Sequence, residues 1–95
     1  MRTKNAKAHT KAESAHLARV KSVACVLCCH PAPSEAHHVI QGCHFATAAL
    51  CVNCHRGDNG ALNQAMFRLR YGTADLRAQL RAVNDTLAAI AAMEG

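Results

Sequence analysis

Two Cys-x-x-Cys motifs constrain the fold of this chain more than any other feature. Within each motif a tight turn brings both sulfur atoms to one side, and two such turns offer the four thiolates that a structural zinc ion prefers. A cation held in this way joins the two ends of the intervening segment. We therefore predict one structural Zn²⁺ with four cysteine ligands: Cys25, Cys28, Cys51 and Cys54.

Two further cysteines fall outside this regular spacing. Cys29 is an alternative ligand to Cys28, although the spacing of the motif favours Cys28. His30, which follows Cys29, is a second alternative ligand. Cys43 is expected to be a small buried side chain rather than a ligand.

A metal staple suits the size of the chain. Its 95 residues are enough for one domain, and its apolar content of 51% includes only 3% aromatic residues. Short chains bury a small share of their surface, so their cores are marginal without a metal or disulfides. We predict a single zinc-bearing domain over residues 10–95, preceded by a mobile basic arm over residues 1–9.

The N-terminal sequence and the charge balance indicate a compartment and a class of partner. Residues 1–4 are not followed by the apolar segment of a signal peptide, and no apolar run approaches the ~18 residues of a membrane span. We expect a cytoplasmic protein without a membrane partner, in which paired cysteines bind zinc rather than form disulfides. The net charge of +5 favours a polyanionic partner, with a solvated basic surface as the alternative.

Local signals in the first half predict a helix followed by two strands. Thr10 and Glu13 form a capping box for a helix over residues 11–23. Leu17, Val20 and Ala24 would share one face of that helix. A turn-rich segment over residues 25–33 follows it. We then expect strands over residues 35–40 and 47–51, with a turn at Gln41-Gly42.

The second half predicts two further helices. Residues 57–60 interrupt the chain, and a helix over residues 62–71 should end at Gly72. Thr73 is expected to cap the last helix, with Asp75 in its first turn. Apolar residues recur at helical intervals along that helix and predict a face packed on the core, with self-association as the alternative: Leu76, Leu80, Val83, Leu87 and Ile90.

Three histidines lie close to the cysteine motifs in the sequence. His37 and His38 are adjacent, so in a strand their side chains point to opposite faces. His55 directly follows Cys54, so a metal bound there would fix its backbone. Neutral imidazole is a good metal ligand and a good general base.

The order of these motifs resembles the zinc-bearing HNH endonucleases, which have the ββα-metal fold. The resemblance rests on Cys-x-x-Cys, then Ala-His-His-Val, then Leu-Cys-x-x-Cys-His, and it extends over residues 10–90. It is strongest toward the phage recombination-enhancement (Ref-like) nucleases and their small prophage relatives. It implies an α+β fold with a small ββα-metal (HNH) core, a four-cysteine zinc knuckle, and flanking N- and C-terminal helices.

The same resemblance implies hydrolysis of DNA phosphodiester bonds with one divalent metal and a histidine general base. By position, His37 and His55 would bind the catalytic metal and His38 would be the base. His44 stands where the family often has Asn or Asp, and would orient the base or support the metal site.

The chain departs from the family at the last metal ligand, commonly a histidine in the following helix. Asn63 is the best candidate for that position, and Asn59 is the runner-up. Asparagine binds transition metals more weakly than histidine does. The catalytic cation is therefore expected among Mg²⁺, Mn²⁺, Ni²⁺ and Zn²⁺. Low or absent activity is the alternative, in a zinc module that binds DNA or a protein partner.

Basic residues that follow the motifs are expected to contact DNA phosphates, chiefly Arg56, Arg68 and Arg70. Because the chain has few aromatic residues for base stacking, we expect it to bind the backbone of duplex DNA rather than read bases. The family places such a protein in the bacterial host cytoplasm, where a recombinase or another phage or host protein is a possible partner. A monomer is favoured.

Overall fold

The computed structural model describes residues 9–57 and 60–94. Over these residues the chain forms a small α+β fold of four helices and a two-stranded sheet. In chain order, the elements are α1 (Lys11–Lys21), β1 (Glu35–His38), β2 (Thr47–Leu50), α2 (Val52–Arg56), α3 (Gln64–Tyr71) and α4 (Leu76–Glu94). Apart from His9, the arm expected over residues 1–9 lies outside the described residues.

The first helix begins at the predicted capping box. Thr10 Oγ1 accepts a hydrogen bond from the Glu13 N–H at 3.0 Å, and Glu13 Oε1 accepts one from the Thr10 N–H at 2.8 Å. The helix ends at Lys21, because the N–H of Ser22 turns back to the carbonyl of Arg19. Ala24, predicted to extend the buried face, is exposed beyond the helix.

The sheet pairs β1 and β2 in antiparallel register, with Glu35 opposite Leu50 and His37 opposite Ala48. Every residue of β2 is buried, whereas those of β1 are half-buried. Side chains alternate along a strand, so Glu35 and His37 share one face of β1 and His38 faces the other side. This alternation separates the two adjacent histidines, as the sequence predicts.

The outer edge of β2 is closed at Ala49. The Val26 N–H donates to the Ala49 carbonyl at 3.0 Å, and the Ala49 N–H donates to Thr86 Oγ1 at 3.0 Å. The Thr86 hydroxyl donates in turn to the Ala82 carbonyl at 2.8 Å. The first cysteine motif and α4 are therefore both attached to one residue of the sheet.

The second cysteine motif lies at the junction of β2 and α2, where Cys51 is the N-cap residue. The next helix, α3, begins after Asn63, whose Oδ1 accepts a hydrogen bond from the Met66 N–H at 3.2 Å. It ends at Gly72, whose left-handed backbone (φ 85°) is the conformation that the sequence predicts there. Phe67 of α3 is fully buried in the core.

The start of α4 differs from the prediction. Asp75 Oδ1 accepts a hydrogen bond from the Ala78 N–H at 3.2 Å, so Asp75 caps the helix and the assignment of Thr73 was wrong. The Gln79 N–H donates to the Asp75 carbonyl at 3.1 Å, and this bond continues the first turn.

The buried face of α4 also differs from the predicted stripe. Leu76, Leu80 and Leu87 are 55%, 37% and 42% exposed, so the stripe was wrong for three of its five residues. The buried residues of this helix are Ala78, Ala82, Val83, Thr86 and Ile90. Small side chains allow α4 to approach β2 closely enough for Thr86 to reach its backbone, and this rotates the larger leucines toward solvent.

No helix in the described part of the chain combines the length and apolar character needed to cross a membrane.

Candidate metal centre and histidine site

The two cysteine motifs meet in space, as predicted. The sulfur atoms of Cys25, Cys28, Cys51 and Cys54 all lie within 4.8 Å of one another. The Sγ of Cys28 is 3.6 Å from that of Cys51 and 3.8 Å from that of Cys54. Thiolates bound tetrahedrally at about 2.3 Å from one zinc ion stand about 3.8 Å apart, so these distances fit a structural metal site.

The backbone explains how the first motif turns. The Cys25 N–H donates to the His30 carbonyl at 3.0 Å, and the Cys29 N–H donates to the Cys25 carbonyl at 2.9 Å. Cys29 has a positive φ of 64°, which completes the turn and directs its exposed side chain outside the cluster. Neither Cys29 nor His30 belongs to the cluster, in agreement with the preference for Cys28.

Four neighbouring sulfur atoms are not all thiolates without a cation. Burial raises the pKa of the Cys54 thiol, and the adjacent cysteines raise it further. A divalent metal removes this penalty because it neutralises the thiolates as they lose their protons. Metal binding at this cluster would therefore be coupled to the folded state.

His55 is held beside this cluster by a carboxylate. Its Nδ1–H donates to Glu35 Oε1 at 2.8 Å, so Nε2 is the nitrogen that carries the lone pair in the neutral imidazole. Arg56 donates to the same carboxylate through Nε at 2.9 Å and through a terminal nitrogen at 2.6 Å. Hydrogen bonds from Arg56, and then from His55, lower the pKa of Glu35 to about 2, so the carboxylate is ionised at neutral pH.

His37 lies next to His55 of α2, on the face of β1 that also carries Glu35. Their ring centroids are 5.1 Å apart at an interplanar angle of 62°. Two imidazoles bound to one cation at about 2.1 Å would have centroids roughly 4.6–5.3 Å apart, so the pair fits a shared metal. Burial lowers the pKa of His37, which keeps the imidazole neutral and able to donate a lone pair.

Gln79 of α4 also reaches this position. Its Oε1 lies 3.0 Å from Nε2 of His37, and both side chains are partly buried. Within residues 9–57 and 60–94, however, the only cluster of three or more His, Cys, Asp or Glu ligand atoms is that of the four cysteines. His37 and His55 are therefore a pair of candidate ligands.

His38 belongs to a second group of histidines. Its Nε2 is 2.9 Å from Nδ1 of His44, and the ring of His9 lies edge-on to that of His44 with centroids 4.2 Å apart. Burial, followed by the neighbouring His44, lowers the pKa of His38. The structure thus brings His38 together with His44 at one face of β1. It brings His37 together with His55 at the other face.

The candidate third ligand from the sequence has another role in this structure. Asn63 Oδ1 caps α3, and its Nδ2 lies 3.5 Å from the Asn53 carbonyl, so its oxygen is already engaged. Asn59, the runner-up, lies outside the described residues. The assignment of Asn63 as a ligand stays a prediction, and it now competes with the helix cap.

The arginines expected to contact DNA differ in their availability. Arg56 is committed to Glu35, and Arg70 lies 3.4 Å from an oxygen of Asp85 and over the ring of Tyr71. Arg68 is exposed, and its contact with Gln64 is long at 3.5 Å. Of the three, Arg68 is the most available for phosphate contact.

Sequence reasoning missed three residues around the histidines. Glu35 was assigned only to a strand, although a carboxylate two residues before His37 shares its face by alternation. Gln79 is a polar residue between the buried Ala78 and Ala82. Its position could be interpreted only after the structure showed which face of α4 is buried. His16 is buried beside Phe45, and no described group hydrogen-bonds its Nε2.

Comparison with known proteins gave no matching family model, no matching curated protein and no matching solved structure.

Proposed function

We propose that this protein is a small HNH-type endonuclease of the phage type, which hydrolyses DNA phosphodiester bonds with one divalent cation and a histidine base. The observation that carries the proposal is the His37–His55 pair, with ring centroids 5.1 Å apart on the β1–β2–α2 segment. The four-cysteine cluster, proposed to hold Zn²⁺, fixes this segment because His55 follows Cys54. The resemblance of the motif order to HNH nucleases is the reason for proposing that this pair binds a catalytic cation.

His37 and His55 would hold the catalytic cation, and Glu35 fixes the tautomer of His55 that leaves Nε2 available. A divalent cation supplies Lewis acidity that stabilises the negative charge on the scissile phosphate and on the leaving oxygen. The set of two imidazoles is compatible with Mg²⁺, Mn²⁺, Ni²⁺ or Zn²⁺, with the nitrogen ligands favouring the transition metals.

His38 is the proposed general base. Because its side chain faces the other side of β1 from His37, this role requires the strand backbone to turn both histidines toward a common cleft when the cation and DNA bind. If His38 Nε2–H donates to His44 Nδ1, the Nδ1 of His38 keeps a lone pair and can accept a proton from the attacking water. The lowered pKa of His38 keeps this imidazole unprotonated at neutral pH. His44 is then a positioning residue, because it acts through His38.

Contact with DNA is proposed through phosphates rather than bases. Arg68 supplies an exposed guanidinium. Arg56 and Arg70 each form an ion pair with a carboxylate, so each would have to contact phosphate while paired or after that ion pair breaks. A recombinase or another phage or host protein is the further partner that the resemblance suggests.

A plasmid-nicking assay tests the proposal. Zinc-loaded protein is assayed with added Mg²⁺, Mn²⁺ or Ni²⁺, and wild type is compared with His38→Ala, His37→Ala and the control His30→Ala. We expect nicking by wild type and control, and a loss of about 10²–10⁴-fold for His38→Ala. Wild-type protein that never nicks DNA, or His38→Ala protein that nicks equally well, contradicts the proposed mechanism.

A zinc-bearing module that binds DNA or a protein without cutting is the second candidate. It is favoured by one observation: Asn63 caps α3, so two histidines alone remain from the ligand set expected at the outset. Metal analysis separates the two functions. A result of two metals per wild-type chain and one per His37→Ala chain would support the nuclease. A result of one zinc per wild-type chain would support the binding module.

A further inference from the structure

Gln79 stands out among the residues of α4. It is a half-buried amide on the helix face that packs against β2, and its neighbours Ala78 and Ala82 are fully buried. A polar side chain in such surroundings lowers stability unless its polar atoms are used. The Gln79 oxygen is directed at His37, with Oε1 lying 3.0 Å from Nε2.

The distance between His37 Nε2 and Gln79 Oε1 also fits two ligand atoms of one metal ion. Two ligand atoms bound at about 2.1 Å and at a right angle around one cation are about 3.0 Å apart. The Nε2 of His37 and the Oε1 of Gln79 therefore stand at the spacing of neighbouring ligands. His55, whose ring centroid is 5.1 Å from that of His37, can present Nε2 because Glu35 holds its Nδ1.

We infer that Gln79 is the third protein ligand of the divalent cation proposed for His37 and His55, and this inference rests on the proposed function. The chain lacks the expected histidine, and α4 supplies an amide oxygen instead. Two imidazoles and one amide oxygen form a mixed set that accommodates Mn²⁺ or Mg²⁺ as well as Ni²⁺.

The position of Gln79 is fixed from both directions along α4. The Gln79 N–H donates to the carbonyl of Asp75, the cap residue, at 3.1 Å. Two turns later, Thr86 joins the helix to the backbone of β2 through Ala49. A ligand on a rigid helix holds its geometry better than one on a loop, and this favours Gln79 as a ligand.

Calorimetric titration of Ni²⁺ into zinc-loaded protein tests the inference without an activity readout. The variants are Gln79→Ala and Gln79→His, with Gln64→Ala on the exposed face of α3 as the control. We expect Gln79→Ala to weaken Ni²⁺ binding by about tenfold or more, and Gln79→His to strengthen it by about tenfold because it adds a third imidazole. The control should match wild type, and each variant should retain one zinc per chain and its circular dichroism spectrum.

Two results would overturn the inference. Unchanged Ni²⁺ affinity in Gln79→Ala shows that the amide is not a ligand. Weakened binding in Gln79→Ala without strengthened binding in Gln79→His shows that Gln79 only accepts a hydrogen bond from His37. If wild type binds Ni²⁺ and nicks DNA in either case, the nuclease proposal stands; if wild type binds no second cation, both proposals fail.

Discussion

Glu35 accepts a hydrogen bond from His55 Nδ1 at 2.8 Å across the junction of β1 and α2. The ion pair with Arg56 holds the carboxylate in place and keeps it charged. This contact fixes which nitrogen of His55 is available.

Replacing Glu35 should therefore weaken the histidine site without unfolding the chain. We expect Glu35→Ala to reduce Ni²⁺ affinity at the His37–His55 pair by about 10–100-fold, because His55 loses its tautomer and its orientation. Glu35→Gln retains an oxygen acceptor and should lose less. Equal affinity in wild type and Glu35→Ala would show that the carboxylate does not orient His55.

Removal of zinc should unfold the chain, because the four cysteines join the knuckle, β2 and α2. Addition of a strong chelator is expected to abolish the cooperative thermal transition followed by circular dichroism. Cys54→Ser should bind less zinc and melt without a sharp transition, while Cys43→Ser should bind one zinc per chain as wild type does. A chelated protein that retains its transition would contradict this role of the cluster.

Thr86 should contribute more to stability than its size suggests, because its hydroxyl satisfies the Ala49 N–H at a buried position. Thr86→Val removes the acceptor and keeps the volume, so it should lower the free energy of unfolding by about 1–3 kcal/mol. Thr86→Ser keeps the hydroxyl and should cost less. Denaturant unfolding of zinc-loaded protein measures both, and a Thr86→Val variant as stable as wild type would exclude this contribution.

The nicking rate should depend on pH through His38. Burial and His44 lower the pKa of His38 below its ordinary value of 6.5, so the neutral base is present above that lowered pKa and is lost as pH falls through it. We expect a rate that is level near pH 7 and decreases on the acid side of pH 6.5. His44→Ala should lower the rate about tenfold and alter the acid limb, whereas His44→Asn, which keeps an acceptor, should do so less. An acid limb that is identical in all three proteins would argue against this pairing.

His16 should make the folded state sensitive to acid. Burial lowers the pKa of His16. Below pH 6.5 the unfolded chain therefore takes up a proton that the folded chain does not, and the free energy of unfolding decreases as the pH decreases. We expect His16→Leu to be more stable than wild type, with a difference of about 1 kcal/mol that grows between pH 7.5 and pH 6. Proton uptake by the zinc cysteines is common to both proteins and cancels in this difference. A constant difference would refute the assignment.

The residues with a strong local pattern could be predicted from the sequence. The capping box of Thr10 and Glu13, the stop at Gly72 and the meeting of the two cysteine motifs each depend on a few neighbouring residues with fixed chemistry. Opposite orientations of His37 and His38 follow from the alternation of a strand.

The features that failed or were missed depend on packing between distant segments. The periodicity of the leucines along α4 predicts an apolar face, but small residues beside β2 determine which face is buried. Gln79 meets His37 only because of that rotation, and Asp75 rather than Thr73 caps α4 because the helix starts later than the threonine suggests. The roles of His37, His38, His44, His55 and Asn63 in catalysis stay predictions.

The closure of β2 at Ala49 has a consequence for the behaviour of the metal-free chain. A strand edge with unpaired N–H and carbonyl groups is a template for pairing with other chains. Here Val26, held by the first cysteine motif, and Thr86 cover both groups of Ala49. Loss of the metal would release Val26 and uncover the carbonyl of an all-apolar segment, Ala48-Ala49-Leu50. A metal held by the cluster would thus shield this strand edge from pairing with other chains, in addition to supporting the fold.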